Sequence, residues 1–462
     1  MKREVNSALS PAGDTRHRRA ALHNLGCKVN AYETEAMQQL LEEAGYEIVP
    51  FSEEADVYIV NTCSVTNVAD KKSRQMLHRA KKLNPHSIVV AAGCYVQTSK
   101  EAAESDAAVD ILIGNNRKCD LIRILEEYER GHAVSDAFAD ISRTAQEYEE
   151  LRVSSPAEHT RAFLKVQDGC NQFCSYCIIP YARGRVRSRT IADVKREAVQ
   201  LAANGYREIV LTGIHLSSFG VDHGEDLRGL ITSLHEITGI DRIRLGSLEP
   251  GIITEEFAAA LAALPKVCPH FHLSLQSGSD TVLTRMNRRY NTAEYAEKCE
   301  ILRRHFTHPA LTTDIIVGFP GETEAEFEET LAFAEQIRFY EIHVFKYSKR
   351  AGTRAADMQG QIPEQVKAAR SRRLMAAAEE MKREFIRWYR GKEVAVLFER
   401  RTGSLSHEDS DPEMRAGGRP ADSGENISLY EGFTPEYVKV IYPSGQNLEN
   451  QIKMVEFSEY LY

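Results

Sequence analysis

Cys170, Cys174 and Cys177 stand in a C-x3-C-x2-C run, with Tyr176 immediately before the last of them. That spacing supplies three thiolates to a four-iron cluster. A structural zinc site closes on four ligands and four-iron clusters are commonly held by four cysteines, so a three-thiolate loop leaves one iron open to a small molecule. The alternative is a partial zinc site completed by a distant ligand such as His159 or Cys268. The run lies between an apolar strand-like segment, 162–166, and an amphipathic helix starting near Ile191, whose Ile191, Val194, Ala198 and Leu201 share one face.

A second set of cysteines is spread out. From about residue 20 to 125 the chain alternates strand and helix: strands at 21–25, 57–61, 87–92 and 111–113, and helices at 33–44 and 68–83. Such βαβ alternation builds a parallel sheet, and in open sheets functional residues gather past the carboxyl ends of the strands. Cys27, Cys63 and Cys94 each lie just past such an end, so three loops converging on one edge could hold a second cluster. Free cysteine also packs well as a small apolar side chain, which is the competing reading. Cys119, Cys268 and Cys299 lack this placement and are expected in the core or on helices.

The segment 159–362 repeats the strand and helix period, with strands at 163–166, 208–212, 242–246, 271–275, 312–317 and 341–345. Helices follow near 191–204, 225–238, 253–264, 292–305 and 323–337, and six strands with crossover helices predict a partial (βα)6 barrel. Its site belongs at the carboxyl ends of the strands, where Thr212, Gly213, Ser247, Glu249, Ser274, Gln276 and Asp314 could together line a nucleoside-sized pocket. Singly, each is a loop or cap residue. Gly318 and Gly321 flank a tight turn that either approaches a ligand or merely precedes a helix.

An amphipathic segment, 363–390, leads to apolar alternating runs at 394–398, 437–442 and 451–457. These predict a small β-barrel of the kind that binds nucleic acid. The Gly-, Ser- and Asp-rich stretch 402–426 reads as a disordered excursion. The remaining boundaries are a flexible tail at 1–19, an α/β domain at 20–125, a linker at 126–158 and a terminal barrel at 391–459.

With 462 residues, 42% of them hydrophobic, and a net charge of -9, the chain is a multidomain globular protein and not a nonspecific coat for nucleic acid. Local basic faces remain, at Lys71, Lys72, Arg74, Arg79, Lys81 and Lys82 and along 370–392. The run Arg183, Arg185, Arg187 and Arg189 would sit side by side in an extended segment, and these four are RNA-contact candidates. Nine cysteines clustered at ligand spacing, with no apolar h-region at the start, predict a reducing cytoplasmic setting, without a membrane partner and as a monomer.

The order of a three-cysteine α/β domain, a C-x3-C-x2-C barrel and a terminal TRAM-type barrel resembles the methylthiotransferases of the radical S-adenosylmethionine superfamily, from residue 20 onward. The flanks Leu25-Gly26-Cys27-Lys28-Val29-Asn30, Tyr32-Glu33-Thr34 and Tyr347-Ser348-Lys349-Arg350-Ala351-Gly352-Thr353 are similar to the branch acting on N6-threonylcarbamoyladenosine at position 37 of tRNA. The resemblance implies two 4Fe-4S clusters: one on Cys170, Cys174 and Cys177 that cleaves S-adenosylmethionine, and one on Cys27, Cys63 and Cys94 that carries the sulfur. It further implies a 2-methylthio product, tRNA as partner, a reducing electron donor and a sulfur source. Other readings are a relative acting on isopentenyladenosine or on a ribosomal protein side chain, a sulfur-inserting enzyme that never methylates, and a noncatalytic zinc or iron–sulfur RNA-binding module.

Overall fold

The computed structural model describes residues 18–132, 137, 138, 141, 148–153, 160–404 and 427–458. The tail at 1–17, His159, most of the linker and the excursion at 405–426 lie outside the described residues.

The chain opens with a five-stranded parallel sheet of β1 (Arg19–Asn24), β2 (Glu47–Ile48), β3 (Val57–Thr62), β4 (Ile88–Gly93) and β5 (Ile111–Ile113), in the order β2-β1-β3-β4-β5. All six residues of β3 are buried, as a central strand covered on both faces requires. The covering helices include α1 (Lys28–Glu43) and α2 (Asn67–Leu83), followed by α3 (Cys94–Thr98), α4 (Lys100–Glu104) and α5 (Leu121–Glu129). The last enters the stretch expected as linker, because Leu121, Ile124 and Leu125 form a buried stripe. Registers Asn24↔Asn61 and Thr62↔Gly93 bring the carboxyl ends of β1, β3 and β4 level.

Six parallel strands then form the partial barrel: β6 (Arg161–Asp168), β8 (Glu208–Gly213) and β9 (Arg242–Leu245), with a short antiparallel β7 (Arg187–Ser188) on the outer edge of β6, then β10 (His270–His272), β11 (Ala310–Val317) and β12 (Glu341–Lys346). Parallel bridges Ile243↔Val267 and Leu248↔Leu273 join the two groups, and Gln276↔Ile315 extends the pairing of β10 with β11. Strand alternation sends Ile209, Leu211, Ile243, Leu245, Phe271 and Ile315 outward into one core with the helices and leaves polar residues facing the lumen. Besides the short α6 (Ile179–Arg183), those helices are α7 (Ile191–Ala203), α8 (Leu227–His235), α9 (Glu255–Ala262), α10 (Asp280–Arg285), α11 (Thr292–His305) and α12 (Glu324–Ile337).

The chain leaves the barrel through α13 (Arg354–Asp357) and α14 (Glu364–Arg387) and ends in an antiparallel curled sheet, β15-β14-β13-β16, of β13 (Glu393–Ser404), β14 (Ser428–Phe433), β15 (Lys439–Ser444) and β16 (Gln451–Glu456). Sequence periodicity missed β14, which follows directly on the low-complexity stretch. This sheet plugs the amino end of the barrel: Arg242 donates to the carbonyls of Phe433 and Ala395 at 2.8 and 2.9 Å, and Arg244 to that of Pro435 at 2.7 Å.

The basic segment 370–392 is only in part a cationic face, on which Arg372, Arg387 and Lys392 are exposed. Arg370 pairs with Glu322 and Glu324, Arg373 with Glu324 and Glu328, and Lys382 with Glu341, so α14 uses these charges to hold α12 and β12. Lys71, Lys72, Arg74, Arg79 and Lys82 on α2 are exposed.

Candidate active site

The barrel cysteines occupy the loop between β6 and α6, and its shape depends on two unusual backbones. Gly169 has φ 72°, and a Cβ there would lie 1.9 Å from the Arg185 carbonyl oxygen; Phe173 also adopts a left-handed φ of 50°. No side chain fits the first position, so the loop doubles back tightly enough to aim three sulfurs inward. Burial, reinforced by the neighbouring Cys174, pushes the Cys170 thiol up to about 11 and that of Cys177 up to about 12. Neutral thiols this close are poised to exchange their protons for a metal. The Arg288 guanidinium donates to Cys174 Sγ at 3.1 Å and to Glu249 Oε1 at 2.6 Å. A cavity of about 260 Å³ beside the loop is lined by Phe173, Cys174, Cys177, Tyr181, Thr353 and Arg354.

Cys27, Cys63 and Cys94 come from three strand ends, yet the level registers bring them together. A Cβ on Gly26 would lie 2.8 Å from Cys63 Sγ, Cys94 disfavours ionisation of both Cys27 and Cys63, and Cys27 does the same to Cys63. Burial raises Cys27, and it pushes Cys63 up to about 11. Cys27 occupies the N-cap of α1 without capping it. At α2 and α7, by contrast, Thr66 and Thr190 accept from the N3 amides as caps ordinarily do. A cap position given to cysteine forgoes about 1 kcal/mol of helix stability and keeps a sulfur for ligation.

The arginine run is not a row. Arg183 ends α6 and is fully buried; Arg187 and Arg189 are buried as well. Arg189 pairs with Glu197 at 2.6 Å and Asp193 at 2.7 Å, so it cannot face RNA. Arg183 reaches Glu33 at 2.6 Å and Asp168 at 3.2 Å, Lys165 reaches the same two carboxylates at 2.7 and 2.8 Å, Lys118 reaches Glu33 at 2.9 Å and Arg187 reaches Asp168 at 3.2 Å. Burial opposes ionisation of both carboxylates, but the cations prevail and hold them below the usual carboxylate range. Only Arg185 of the run stays exposed, over the Phe173 ring at 4.5 Å.

These contacts tie four buried cations to two carboxylates, and Arg183 also feels Cys27, Cys63 and Cys94. Unbalanced buried positive charge is costly. Three thiolates on an iron–sulfur cluster would supply the missing negative charge, so the residues around this triad fit such a group. Cys170, Cys174 and Cys177, with sulfur-directed Arg288, fit a second.

One helical turn connects the triads. Cys177 leads through α6 to Arg183, and Asn115 donates to the α6 carbonyl of Ala182 at 2.7 Å and to Cys94 Sγ at 3.7 Å. The 347–353 segment forms the other bridge: Arg350 donates to Ser64 and Asn67 at 2.7 Å and pairs with Asp70 at 2.6 Å, next to Cys63.

The strand-end residues are placed unevenly. Glu249 is tied to Arg288 and lies 3.5 Å from His215. Thr212 Oγ1 is buried without a hydrogen-bond partner, as a group kept for a ligand would be. Gly213 sits against Gln167, whose Oε1 accepts from the His215 amide at 2.7 Å. Gln276 has φ 73° and bridges β11 through the Asp314 carbonyl. Ser247 is exposed just beyond β9. Asp314 lies within β11 rather than at its end, 3.3 Å from His272. Sequence reasoning missed Arg288 and His215, isolated polar residues in loops, and Gln167 near the end of β6; only their convergence on Glu249 and the cysteine loop marks them. Cys268 and Cys299 are buried as expected, whereas Cys119 is exposed.

Residues 164–334 match the radical SAM superfamily, and residues 19–114 match a family described as uncharacterized protein family UPF0004. Among curated relatives, the threonylcarbamoyladenosine tRNA methylthiotransferase MtaB of Bacillus subtilis is 40% identical over 94% of this chain and 93% of its own length. The tRNA-2-methylthio-N(6)-dimethylallyladenosine synthase of Alkaliphilus oremlandii is 38% identical over 81% of this chain and 80% of its own. Among solved structures, the radical S-adenosylmethionine methyltransferase TsrM of Kitasatospora setae, with cobalamin and a 4Fe-4S cluster bound, superposes with a TM-score of 0.55 at 16% identity, covering 74% of this chain and 77% of that one. That likeness speaks to fold alone.

Proposed function

This chain belongs to the radical S-adenosylmethionine methylthiotransferases, and from that premise we propose that it converts N6-threonylcarbamoyladenosine at position 37 of tRNA to its 2-methylthio derivative. It is an enzyme of two 4Fe-4S clusters and S-adenosylmethionine, which when bound supply a carbon-centred radical and the sulfur to be inserted. The observation that carries the residue assignment is the pair of cysteine triads joined by the α6 turn. Cys170, Cys174 and Cys177 would hold the radical-generating cluster, and Cys27, Cys63 and Cys94 the auxiliary one. Arg288 steadies the first by its bond to Cys174, and Arg183 balances charge beside the second. Thr212, Gly213, Ser247, Glu249 and Gln276 border the nucleoside portion of the cofactor.

For tRNA, the exposed lysines and arginines of α2, which begins four residues after Cys63, offer the phosphate-binding face, with Arg185 as a further contact. The terminal antiparallel sheet would serve as a TRAM-type RNA-binding barrel. Each turnover calls for a reducing electron donor and a sulfur source. No helix among the described residues is long and apolar enough to cross a membrane.

The test is anaerobic reconstitution with iron and sulfide, then S-adenosylmethionine, dithionite and tRNA with or without the threonylcarbamoyl group, followed by mass spectrometry of digested nucleosides. A methylthio increment on the threonylcarbamoyl nucleoside alone is expected. Formation of 5′-deoxyadenosine with no nucleoside altered would overturn the substrate.

A further inference from the structure

Lys28 is the first residue of α1, directly after Cys27, and α1 packs against β6 and β8. Its charged neighbours are Arg244, Arg161 and Glu208, all three from barrel strands. Among the described residues it has no ion pair: Glu208 is held by Arg244 at 2.7 Å and Arg242 at 3.7 Å, and Arg161 is paired with Glu399 at 2.6 Å. Lys28, Arg161, Arg242 and Arg244 thus face two carboxylates that are already engaged.

Two further groups adjoin the same space, His270 with an unpartnered Nδ1 and His272 facing the Asp314 carboxylate. His270 and His272 are more than nine-tenths buried, yet His270 Nδ1 and His272 Nε2 make no hydrogen bond; the second lies 3.3 Å from Asp314. His270 feels Lys28 and Arg244 directly. The His343 ring stacks at 5.7 Å on His272 but is itself exposed, as is Lys28. Exposed side chains on lumen-facing positions mean that this part of the barrel interior is open to solvent.

We propose that Lys28, His270 and His272 form a carboxylate-binding pocket that selects the anionic threonyl portion of the substrate against uncharged N6 substituents. The proposal rests on threonylcarbamoyladenosine being the substrate. Adenine C2 and C6 flank N1 on one edge of the ring and N6 is carried on C6, so a carboxylate borne by the N6 substituent lies on the same edge as C2. Cys27, assigned to the sulfur-carrying set, and Lys28 are consecutive residues, which places anion recognition next to that chemistry. The unpaired ammonium and the unpartnered His270 nitrogen, with His272 beside them, supply the hydrogen bonds that a carboxylate needs and an alkyl substituent cannot use.

The experiment gives holoenzyme two anticodon stem-loops, one with the threonylcarbamoyl carboxylate free and one with it as the methyl ester. Wild-type enzyme should prefer the acid by about 30-fold in kcat/KM, the range of a charge-assisted hydrogen bond. Lys28→Gln should bring that ratio to within about threefold and Lys28→Arg should retain most of it. The ratio is internal to each preparation, so partial cluster loss does not blur it. His270→Gln, remote in sequence from both cysteine sets, should lower the ratio too. An undiminished preference in Lys28→Gln overturns the pocket, as does equal use of acid and ester by the wild type, which leaves the substrate standing. If the wild type modifies neither, the substrate assignment itself fails.

Discussion

The two cysteine triads solve one problem in opposite ways. Cys170, Cys174 and Cys177 lie within one loop whose path is fixed by the close approach of Gly169 to Arg185, so its geometry is local. Cys27, Cys63 and Cys94 depend on three strands ending level in a sheet. Their charge settings differ as well. Arg288 meets one carboxylate, Glu249, and its surroundings are close to neutral. Arg183 belongs to a network of four cations and two carboxylates, tied across α1, β6 and α6. The local triad should therefore fail by loss of loop shape, and the distributed one by loss of domain packing or charge balance.

The sharpest separation comes from the ligands. Cys177→Ala should abolish cleavage of S-adenosylmethionine, whereas Cys94→Ala should leave cleavage measurable as 5′-deoxyadenosine and abolish sulfur insertion. Cleavage persisting in Cys177→Ala would sink the division of labour. Gly169→Ala should behave like Cys177→Ala, because the backbone carbonyl 1.9 Å from the new methyl cannot yield. Iron should fall from about eight to about four per chain; a full complement of iron would mean the loop tolerates a different path.

Arg183→Met comes next. It leaves Glu33 and Asp168 short of a buried partner and should cost about 3–5 kcal/mol, as breaking buried pairs does, measured as a lower midpoint in urea. Arg288→Met should cost less and act mainly on S-adenosylmethionine cleavage, since it touches a single carboxylate and Cys174. Equal destabilisation by the two would erase the contrast. The same network sets an acid limit. Its carboxylates are held below their ordinary values, so the stability they contribute is present above about pH 4.5 and is lost as pH falls further.

The difference between the triads also explains what could be read from sequence. The C-x3-C-x2-C spacing is local, and it identified its ligands before any fold was considered. Cys27, Cys63 and Cys94 became a set only through the strand and helix alternation around them. The six barrel strands were legible because Val, Ile and Leu alternate along them with polar residues. The fate of the arginine run was not, because spacing in an extended segment is the same for a surface row and for buried pairs. What separates them is Glu33, 150 residues from Arg183 in sequence, and no local pattern links the two. Arg288 and Lys28 were hidden for the same reason, since each takes its meaning from residues distant in sequence, Cys174 and Glu249 for the first and the barrel strands for the second.

The smallest expected effect tests whether the distributed triad depends on α1 as a packed unit. Glu35 lies on α1, two turns after Lys28, and burial pushes its carboxyl up to about 7. A carboxyl whose folded pKa is raised contributes stability in its protonated form below about pH 4.5, and loses it as pH climbs through 7. Glu35→Gln removes that loss. The variant should melt a few degrees higher than wild type at pH 8 and coincide with it at pH 4, with unchanged retention of the iron near Cys170, Cys174 and Cys177. A steadier α1 fixes the position of Cys27, so the iron on Cys27, Cys63 and Cys94 should be released to chelator more slowly at pH 8. A gain in melting temperature without slower release would mean that Cys27 is positioned by the Gly26 turn against Cys63 alone, making that triad more local than the sheet registers imply.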